Sequence, residues 1–277
     1  MAEFWAGKTV MVTGGGGSIA SEVIAKLLAK PVHAVRAFDV SEDSLFRLTH
    51  RVEGNPRLRT LLGDIRDRER VKMAIDGVDM ILHTAAIKNI EISEANVPET
   101  LRVNVEGTVN LVECCMREKP DRFLFVSSDK AADYTSLYGV SKYAGEKTVM
   151  WASRVAMKTI YGCVRLGNVM ETKGNVFERW FKEHGKGEPL SLTHPDMKRF
   201  FMHVGEASDF IVRTLETMGN GCIYVPKMKE YSVIDLAKTI SPNVNIIGVR
   251  PGEKMREALI ASHEKPEDRG DHWLIRG

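Results

Sequence analysis

Residues 9–28, TVMVTGGGGSIASEVIAKLL, decide the fold of this chain. The stretch opens with an apolar, β-branched run that predicts a buried strand, continues through a glycine loop, and ends in a predicted helix that stops before Pro31. Loop glycines let the backbone turn sharply and approach a pyrophosphate, whose charge is met by free N–H groups at the helix N-terminus. A run of four glycines could also be a flexible loop. In this strand-loop-helix context we predict dinucleotide contacts at Gly14, Gly17, Ser18 and Ile19.

Asp39 lies at the end of the second predicted strand, residues 32–40, about twenty residues beyond the glycine loop. A carboxylate here can accept hydrogen bonds from both ribose hydroxyls of an adenosine and would repel a 2′-phosphate. The expected cofactor is therefore NAD, with NADP disfavoured. The ends of the next two predicted strands supply the remaining expected cofactor contacts, which are Asp64, Ile65, Thr84 and Lys88.

Predicted strands and helices alternate regularly up to Met170. This alternation predicts right-handed βαβ units, and hence an α/β fold with a Rossmann-type doubly wound parallel sheet. Beyond Met170 the predicted elements become shorter. We therefore predict a Rossmann domain that carries the catalytic residues over 1–170 and a smaller C-terminal α/β lobe that mainly binds substrate over 171–277. The further strands are predicted at 59–63, 79–83, 123–126 and 158–166, and the longer helices at 41–53, 66–76, 98–118 and 138–155.

The central predicted strand is followed directly by polar residues in the segment FLFVSSDKAADYTSLYGVSK, residues 123–142. Ser128, Asp129 and Lys130 fall at the carboxyl end of the strand, the edge at which open α/β sheets bind ligands. Tyr138 and Lys142 share one face of the next helix, where an ammonium would favour the phenolate and lower the pKa of the tyrosine toward the range of a general acid/base. Taken alone, the Tyr–Lys pair could be a solvated helix pair and the Asp–Lys pair a surface ion pair.

Composition narrows the function classes. The chain has 277 residues, is 43% hydrophobic and carries a formal net charge of +2 with both signs interspersed, which indicates an enzyme-sized globular protein without a nucleic-acid partner. Its four cysteines lack ligand spacing, which favours reduced structural thiols, and the histidines give no metal-binding pattern. Without an apolar run of ~18 residues or a signal-peptide pattern, the expected location is cytoplasmic and not in a membrane.

Seven segments follow one another along the chain: VTGGGGSIASE, LHTAAIKNIE, RVNVEGT, SSDKAADYTSLYGVSK, VRLGNV, MKRFFM and GVRPGEKMREALI. Together they resemble the extended short-chain dehydrogenases/reductases, and among them the inverting UDP-N-acetylglucosamine 4,6-dehydratases of the polysaccharide biosynthesis protein family. The resemblance covers nearly the whole chain. Departures include Ala20 in place of a frequent glycine, Ser128 in place of a common threonine, and Tyr134 in a segment that usually carries Asn-Pro.

The resemblance implies a mechanism for these residues. Tyr138, held by Lys142, takes the proton of the sugar 4-hydroxyl during transient oxidation of C4, and Ser128 hydrogen-bonds the ketone that forms. Lys130 removes the C5 proton and Asp129 protonates the leaving 6-hydroxyl, so that water is eliminated across C5–C6. Hydride then returns to C6, and the Asp-Lys pair resembles the class that inverts C5. Tyr138 and Lys142 are also expected to contact the cofactor.

A UDP-sugar substrate needs fixed cations for its pyrophosphate, and we predict Arg199 and Arg250 for this role because a guanidinium pairs with phosphate in bidentate fashion. By position in the family motifs, the resemblance adds Lys88, Asn168, Val169 and Glu253, and it implies a homo-oligomer. The charged runs Glu253–Lys254 and Arg256–Glu257 are otherwise typical of a solvated helix face.

Two other functions fit parts of this pattern. A nucleotide-sugar 4-epimerase would use Tyr138 and NAD without eliminating water, and the Asp129–Lys130 pair argues against it. A non-catalytic NAD-binding or nucleotide-sugar-binding protein could share the fold, since fold does not fix function. The presence of both the Tyr–Lys pair and the Asp–Lys pair argues against that alternative.

Overall fold

The computed structural model describes residues 2–277. The strands are β1 (Thr9–Thr13), β2 (Ala34–Asp39), β3 (Leu58–Leu62), β4 (Met80–His83), β5 (Arg122–Ser128), β6 (Ile160–Leu166), β7 (Asn168–Val169), β8 (Leu190–Leu192), β9 (Lys198–Met202), β10 (Cys222–Pro226), β11 (Lys229–Ser232), β12 (Val244–Ile246), β13 (Glu267–Asp268) and β14 (His272–Arg276). The α-helices are α1 (Ala2–Trp5), α2 (Ser18–Leu28), α3 (Glu42–Arg51), α4 (Arg68–Ile75), α5 (Ile90–Ala95), α6 (Val97–Leu101), α7 (Gly107–Glu118), α8 (Leu137–Val155), α9 (Val176–Gly185), α10 (Val204–Thr217) and α11 (Val233–Lys238).

A nine-stranded sheet with the order β13-β14-β10-β6-β5-β4-β1-β2-β3 forms the centre of the molecule. The pairings from β3 across to β10 are all parallel, and β14 is antiparallel to β10. The predicted α/β fold with a Rossmann-type doubly wound sheet is therefore confirmed. The strand order reverses between β1 and β4, and the crevice outside the carboxyl ends of these strands is where such sheets bind ligands.

Both faces of this sheet are buried, which explains why its strands are continuous apolar runs. Along β1, Val10 and Val12 pack into the core on one face, and Met11 packs into the core on the other. Along β5, Leu124 joins the first core and Phe125 the second. All four cysteines are free and buried, which agrees with the interpretation of reduced structural thiols.

The chain beyond residue 170 is not one separate unit. Strands β10, β13 and β14 extend the main sheet, so residues 222–226 and 267–276 join the domain that we had predicted to end at 170. The smaller lobe is built from a three-stranded sheet, β11-β9-β7, a two-stranded sheet, β12-β8, and helices α9 and α11. Its own core includes Trp180, Leu190, Leu192, Met197 and Val233.

The long helix predicted over 98–118 is interrupted. It consists of α6, a π-helical turn at Arg102–Glu106, and α7. An apolar period of 3.6 residues cannot reveal such a turn, because the apolar positions on either side still fit a helix. Within the described residues, no helix combines the length and apolar composition that a membrane crossing requires.

Candidate active site

The glycine loop between β1 and α2 forms a cradle in which side chains do not fit. Gly14 adopts a φ of +66°, and a Cβ atom built on it would lie 2.8 Å from Cα of Ala85. A Cβ atom on Gly16 would collide with Ser44. Within residues 2–277 no side chain caps the N-terminus of α2, because the N-cap residue is Gly17. The first N–H groups of α2, beginning at Ser18 and Ile19, are therefore suited to a pyrophosphate.

Asp39 closes the cofactor cradle from the end of β2. Its carboxylate accepts hydrogen bonds from the backbone N–H groups of Gly16 and Ser41, each at 2.9 Å. These bonds fix the carboxylate beside the glycine loop, at the strand end where Rossmann folds bind the adenosine ribose. The residues present therefore fit an NAD cofactor.

The other predicted cofactor residues lie around the same crevice and differ in their burial and in their hydrogen bonds. Asp64 is paired with the guanidinium of Arg66, whose hydrogen bonds lower the pKa of that carboxyl. Ile65 is buried in the core. Thr84 donates to the carbonyl of Thr13 at 2.6 Å, which ties the end of β4 to the end of β1. At these positions the site therefore presents backbone groups, together with an acid, Asp64, that is already paired with Arg66.

A loop after β7 reaches across the crevice. The backbone N–H of Lys173 donates to the Ser18 hydroxyl at 3.0 Å, and Lys88 Nζ donates to the Lys173 carbonyl at 2.9 Å. Lys88 therefore links the loop after β4 to the loop that covers the start of α2. This contact places Lys88 near the predicted cofactor and substrate region.

Ser128, Asp129 and Lys130 form a compact group where β5 ends in a 3₁₀ turn. The Ser128 hydroxyl donates to Asp129 Oδ1 at 3.0 Å, and Lys130 Nζ lies 3.0 Å from the same oxygen. The Asp129 side chain is fully buried and Lys130 is 15% exposed. The alternative of a solvated surface pair is therefore excluded, and Asp129 Oδ2 has no hydrogen-bond partner among the described residues.

Helix α8 brings Tyr138 against this group because Gly139 allows a close approach. A Cβ atom at Gly139 would collide with the carbonyl oxygen of Lys130, so only glycine lets the helix begin here. Ser136 caps the helix by accepting from the Gly139 N–H at 3.2 Å. Tyr138, Lys130 and Ser128 are consequently neighbours across the crevice.

The electrostatics of the tyrosine differ from the prediction. Lys142 is buried and donates to the Val126 carbonyl at 2.8 Å, and burial lowers its pKa to about 8. Burial also raises the pKa of Tyr138, against the opposing effects of the Lys130 charge and the Ser128 hydroxyl. The cation that favours the phenolate is therefore Lys130, whereas the expected lowering by Lys142 is not seen.

Asn104, in the π-helical turn, is a site residue that sequence reasoning missed. Its amide accepts from the Ile87 N–H at 2.8 Å and donates to the Ile87 carbonyl at 2.9 Å, and it also donates to the Ser141 hydroxyl at 2.9 Å. One side chain thus connects the loop after β4 to α8. The motif RVNVEGT contained the only available signal, and the π-helical turn is what directs Asn104 inward.

Glu257 and Lys254 were also missed. Both were assigned to charged runs typical of a solvated helix face, but the segment is not helical and the Glu257 side chain is only 2% exposed. Glu257 Oε1 lies 3.8 Å from Lys130 Nζ, and its Oε2 lies 3.2 Å from Lys254 Nζ. The interpretation as a solvated face is therefore wrong for Glu257.

The predicted substrate residues lie on the lobe side of the same crevice. Asn168 Oδ1 is 3.3 Å from Lys130 Nζ, and Val169 is buried beside it. Arg199 is buried and donates to the carbonyls of Lys198, Lys254 and Met255, so a phosphate contact would need its remaining N–H groups. Arg250 pairs with Glu91 at 2.7 Å, and Glu253 accepts from the Arg250 N–H. Their roles toward a substrate stay predictions.

His83, at the end of β4, is a buried polar residue with a structural role. Its Nδ1 lies 2.7 Å from the Thr13 hydroxyl and its Nε2 lies 2.9 Å from the Thr108 hydroxyl. Burial lowers the pKa of His83 to about 3, so the ring is neutral and joins three elements beneath the crevice.

Comparison with known proteins finds relatives that match nearly the whole chain. The model of a family described as polysaccharide biosynthesis protein matches residues 10–274. An uncharacterized membrane protein of Methanocaldococcus jannaschii is 35% identical over 95% of this chain and 84% of its own length. A UDP-N-acetylglucosamine 4,6-dehydratase (inverting) of Campylobacter jejuni is 32% identical over 93% of this chain and 78% of its own. A UDP-glucose 4-epimerase of Rickettsia canadensis is 29% identical over 97% and 82%.

Solved structures show the same architecture. The X-ray structure of Pen from Bacillus thuringiensis superposes with a TM-score of 0.95 and 28% identity, covering 99% of this chain and 90% of that one. A dTDP-glucose 4,6-dehydratase from Streptomyces venezuelae, solved with NAD bound, has a TM-score of 0.85 at 23% identity, covering 91% and 88%. At this identity the second likeness shows the shared fold.

Proposed function

Since the chain belongs to the polysaccharide biosynthesis protein family, we propose that it is an NAD-dependent UDP-N-acetylglucosamine 4,6-dehydratase that inverts C5. The observation that carries the proposal is the buried Asp129–Lys130 pair beside Tyr138. Removing two charges from water is costly, and the attraction between them often fails to repay it. A pair retained under these conditions at the mouth of a sugar-nucleotide crevice supports a role in chemistry.

NAD fits the cradle made by the glycine loop and Asp39, and relatives of the same fold are solved with NAD bound. When bound, NAD supplies the transient oxidation of C4 and the return of the same reducing equivalents at C6. The residues that would hold it are Gly14, Gly17, Ser18, Ile19, Asp39, Asp64, Ile65, Thr84, Lys88, Tyr138 and Lys142.

Tyr138 is the proposed base for the 4-hydroxyl proton. The phenol must lose its own proton first, and burial opposes this by raising the pKa of Tyr138. The positive charge of Lys130 favours the phenolate, so the acid–base pair of the elimination step also assists the oxidation step. Ser128 is proposed to donate a hydrogen bond to the oxygen that becomes the C4 ketone.

Elimination follows at C5 and C6. Lys130 Nζ takes the C5 proton, the electron pair of the C5–H bond forms the C5–C6 double bond, and the C6–O bond breaks. Asp129 gives its proton to the departing oxygen, which leaves as water. Substrate contacts are proposed at Lys88, Asn168, Val169, Arg199, Arg250 and Glu253.

A 4-epimerase is the second candidate, because relatives of about the same identity are named UDP-glucose 4-epimerase. Incubation of the purified protein with UDP-N-acetylglucosamine, followed by mass spectrometry, separates the functions. Loss of one water supports the dehydratase. An unchanged mass with a new sugar would favour the epimerase, and no turnover would favour a binding protein. Lys130→Ala is the matched control, since it should block water loss while leaving Tyr138 in place.

We also propose that the protein forms a homo-oligomer. Apolar side chains are exposed on α6 and α8, where Leu101 is 37%, Val140 39% and Trp151 45% accessible. Exposed apolar patches on a soluble surface are typical of interfaces. Sedimentation velocity should give more than the mass of one chain, and Val140→Glu/Trp151→Glu should return it to one chain. A single-chain mass for the unaltered protein would contradict the proposal.

A further inference from the structure

Glu257 enters the catalytic group from the smaller lobe, across the crevice from the sheet. It follows the backbone bridge that pairs Arg256 with Lys198 of β9, and its side chain is 2% exposed. Although Oε2 lies 3.2 Å from Lys254 Nζ, the geometry is not that of a hydrogen bond, and this oxygen has no hydrogen-bond partner among the described residues. Burying a carboxylate oxygen without a hydrogen bond costs free energy, so this arrangement calls for a functional explanation.

Four side chains of alternating charge meet here, and we name them the charge quartet: Asp129, Lys130, Glu257 and Lys254. Successive contacts measure 3.0 Å from Asp129 to Lys130, 3.8 Å from Lys130 to Glu257, and 3.2 Å from Glu257 to Lys254. Lys254 is anchored in turn by donating to the Ala132 carbonyl at 2.9 Å. The Lys130 ammonium therefore has a carboxylate on each side, one from the sheet domain and one from the lobe.

Other polar groups facing Lys130 do not replace this second carboxylate. Burial by itself would lower the pKa of Lys130, but the Asp129 and Glu257 carboxylates outweigh burial, and the pKa is raised. Arg199 acts in the opposite direction. The groups around Lys130, taken over all the elements packed against it, are Asp129 on its own turn, Tyr138 on α8, Asn168 on β7, Arg199 on β9, and Lys254 and Glu257 on the lobe segment.

We propose that Glu257 is a positioning residue that controls the single proton shared by Asp129 and Lys130, an inference that rests on the proposed dehydratase function. The pair has two arrangements of that proton. In one, Lys130 is an ammonium beside the Asp129 carboxylate. In the other, the proton has crossed the 3.0 Å to Asp129, which leaves a neutral amine and a carboxylic acid.

Only the neutral arrangement provides both the base and the acid that elimination needs. Lys130 gains a proton from C5 as the C5–H bond breaks, and Asp129 loses its proton to O6 as the C6–O bond breaks. The step therefore ends with an ammonium beside a carboxylate, which is the first of the two arrangements. Positive charge develops on Lys130 during the step, and the Glu257 carboxylate stabilises it, as the buried aspartate does for the imidazolium of a serine-protease triad.

A pH profile can detect this control. The active form of the pair holds one proton, so activity should fall at low pH, where a second proton binds, and at high pH, where the last proton is lost. A neighbouring negative charge raises both of these pKa values. Glu257→Gln should therefore move both limbs to lower pH, by roughly 1–3 units, since an opposite charge within ~4–6 Å shifts a pKa by this much.

The experiment compares the unaltered protein with Glu257→Gln, with Glu257→Asp as the charge-retaining variant and Glu230→Gln as the matched control. Glu230 pairs with Arg256 on the outer side of the same lobe segment, so its replacement removes an equal charge away from Lys130. Water loss from UDP-N-acetylglucosamine is followed from pH 5 to 10. Both limbs should move for Glu257→Gln, return toward the original positions for Glu257→Asp, and stay in place for Glu230→Gln.

A second measurement does not depend on turnover. Protein labelled with [13Cε]lysine is titrated by NMR, and the Lys130 signal is assigned by its loss in Lys130→Ala. The pKa of Lys130 obtained from this titration should be lower in Glu257→Gln and unchanged in Glu230→Gln. Unmoved limbs together with an unmoved titration, in a folded Glu257→Gln protein, would overturn the inference. If the unaltered protein forms no dehydrated product, the proposed dehydratase function is wrong. A lowered pKa of Lys130 in Glu257→Gln would still support the electrostatic effect of Glu257 on Lys130.

Discussion

Replacing Arg165 by methionine should destabilise the protein severely. Arg165 lies on β6, is fully buried, and donates two hydrogen bonds to Glu146 of α8 at 3.0 and 2.8 Å. Two more bonds, at 2.7 and 2.8 Å, go to Glu264 of the segment before β13, and a fifth goes to the Leu259 carbonyl at 3.0 Å. The guanidinium therefore joins the sheet, helix α8 and the segment that follows Glu257.

The magnitude follows from what the substitution leaves behind. Removing one partner of a buried ion pair costs ~3–5 kcal/mol, because the remaining charge is buried without compensation. Here two carboxylates are left, against a total stability of about 5–15 kcal/mol for a typical domain. At about 2–4 °C for each kcal/mol, the melting temperature should fall by about 6–20 °C. Urea unfolding followed by tryptophan fluorescence measures the same loss as a free energy.

The loss should depend on pH. Burial acts to raise the pKa of Glu264, but the hydrogen bonds from Arg165 outweigh it, and the pKa is lowered from its ordinary value. A folded-state pKa below the unfolded value stabilises the fold above the unfolded pKa, and this stabilisation is lost as pH falls through the folded pKa. In Arg165→Met the Glu264 carboxyl loses these hydrogen bonds, so burial raises its pKa and it takes up a proton more readily. The difference between the two proteins should therefore be largest near pH 7 and shrink below pH ~4.5.

A matched variant separates lost charge pairing from lost packing. Arg165→Met/Glu146→Gln/Glu264→Gln removes all three charges together, and it should recover most of the stability because no charge is left uncompensated. The reasoning would be refuted by an Arg165→Met protein within 1 kcal/mol of the original at pH 7. It would also be refuted by a stability difference that does not change with pH.

Three further predictions concern the chemistry. Lys130→Ala should keep its cofactor but form no dehydrated product. Substrate should then cause a slow but lasting rise in NADH absorbance, because oxidation at C4 loses the assistance of the Lys130 charge yet can still occur, whereas C5 deprotonation cannot. Turnover like that of the original protein would remove Lys130 from the mechanism. Asp39 beside the glycine loop should select NAD, which returns to its starting state in each cycle and so need not leave the protein. The nucleotide released by denaturing the purified protein should therefore be NAD, and recovery of mainly NADP would contradict this assignment. Reaction in D2O should place deuterium at C5 with proton couplings of the L-arabino configuration; a D-xylo product formed from the outset would limit the assignment to a dehydratase that retains C5.

Much of the Rossmann domain could be predicted because its information is local. The strand β1 was predicted with its observed bounds, and the polar residues after β5 were expected at the ligand edge, where they lie. Parallel strands buried on both faces give continuous apolar runs, and their ends fall at one edge of the sheet. Motif spacing then places Asp129, Lys130 and Tyr138 together without knowledge of any long-range contact.

What could not be predicted depends on contacts between distant residues. Glu257 is separated by more than a hundred residues from Lys130, and a charged run carries no sign that it will be buried. The pKa of Tyr138 depends on how far burial outweighs neighbouring charges, which requires coordinates. The placement of β10 in the main sheet was missed because a short apolar run fits a lobe strand equally well.

The position of β14 has a consequence for the synthesis of the protein. Among the described residues, strand β14 pairs with β10 and β13, so until residues 272–276 leave the ribosome the apolar strand β10 is the open edge of the main sheet. An open apolar edge presents unpaired N–H and C=O groups to any other chain that passes. Nascent or proteolysed chains without the last strand should therefore recruit one another and require chaperones, even though every proposed catalytic residue is already present.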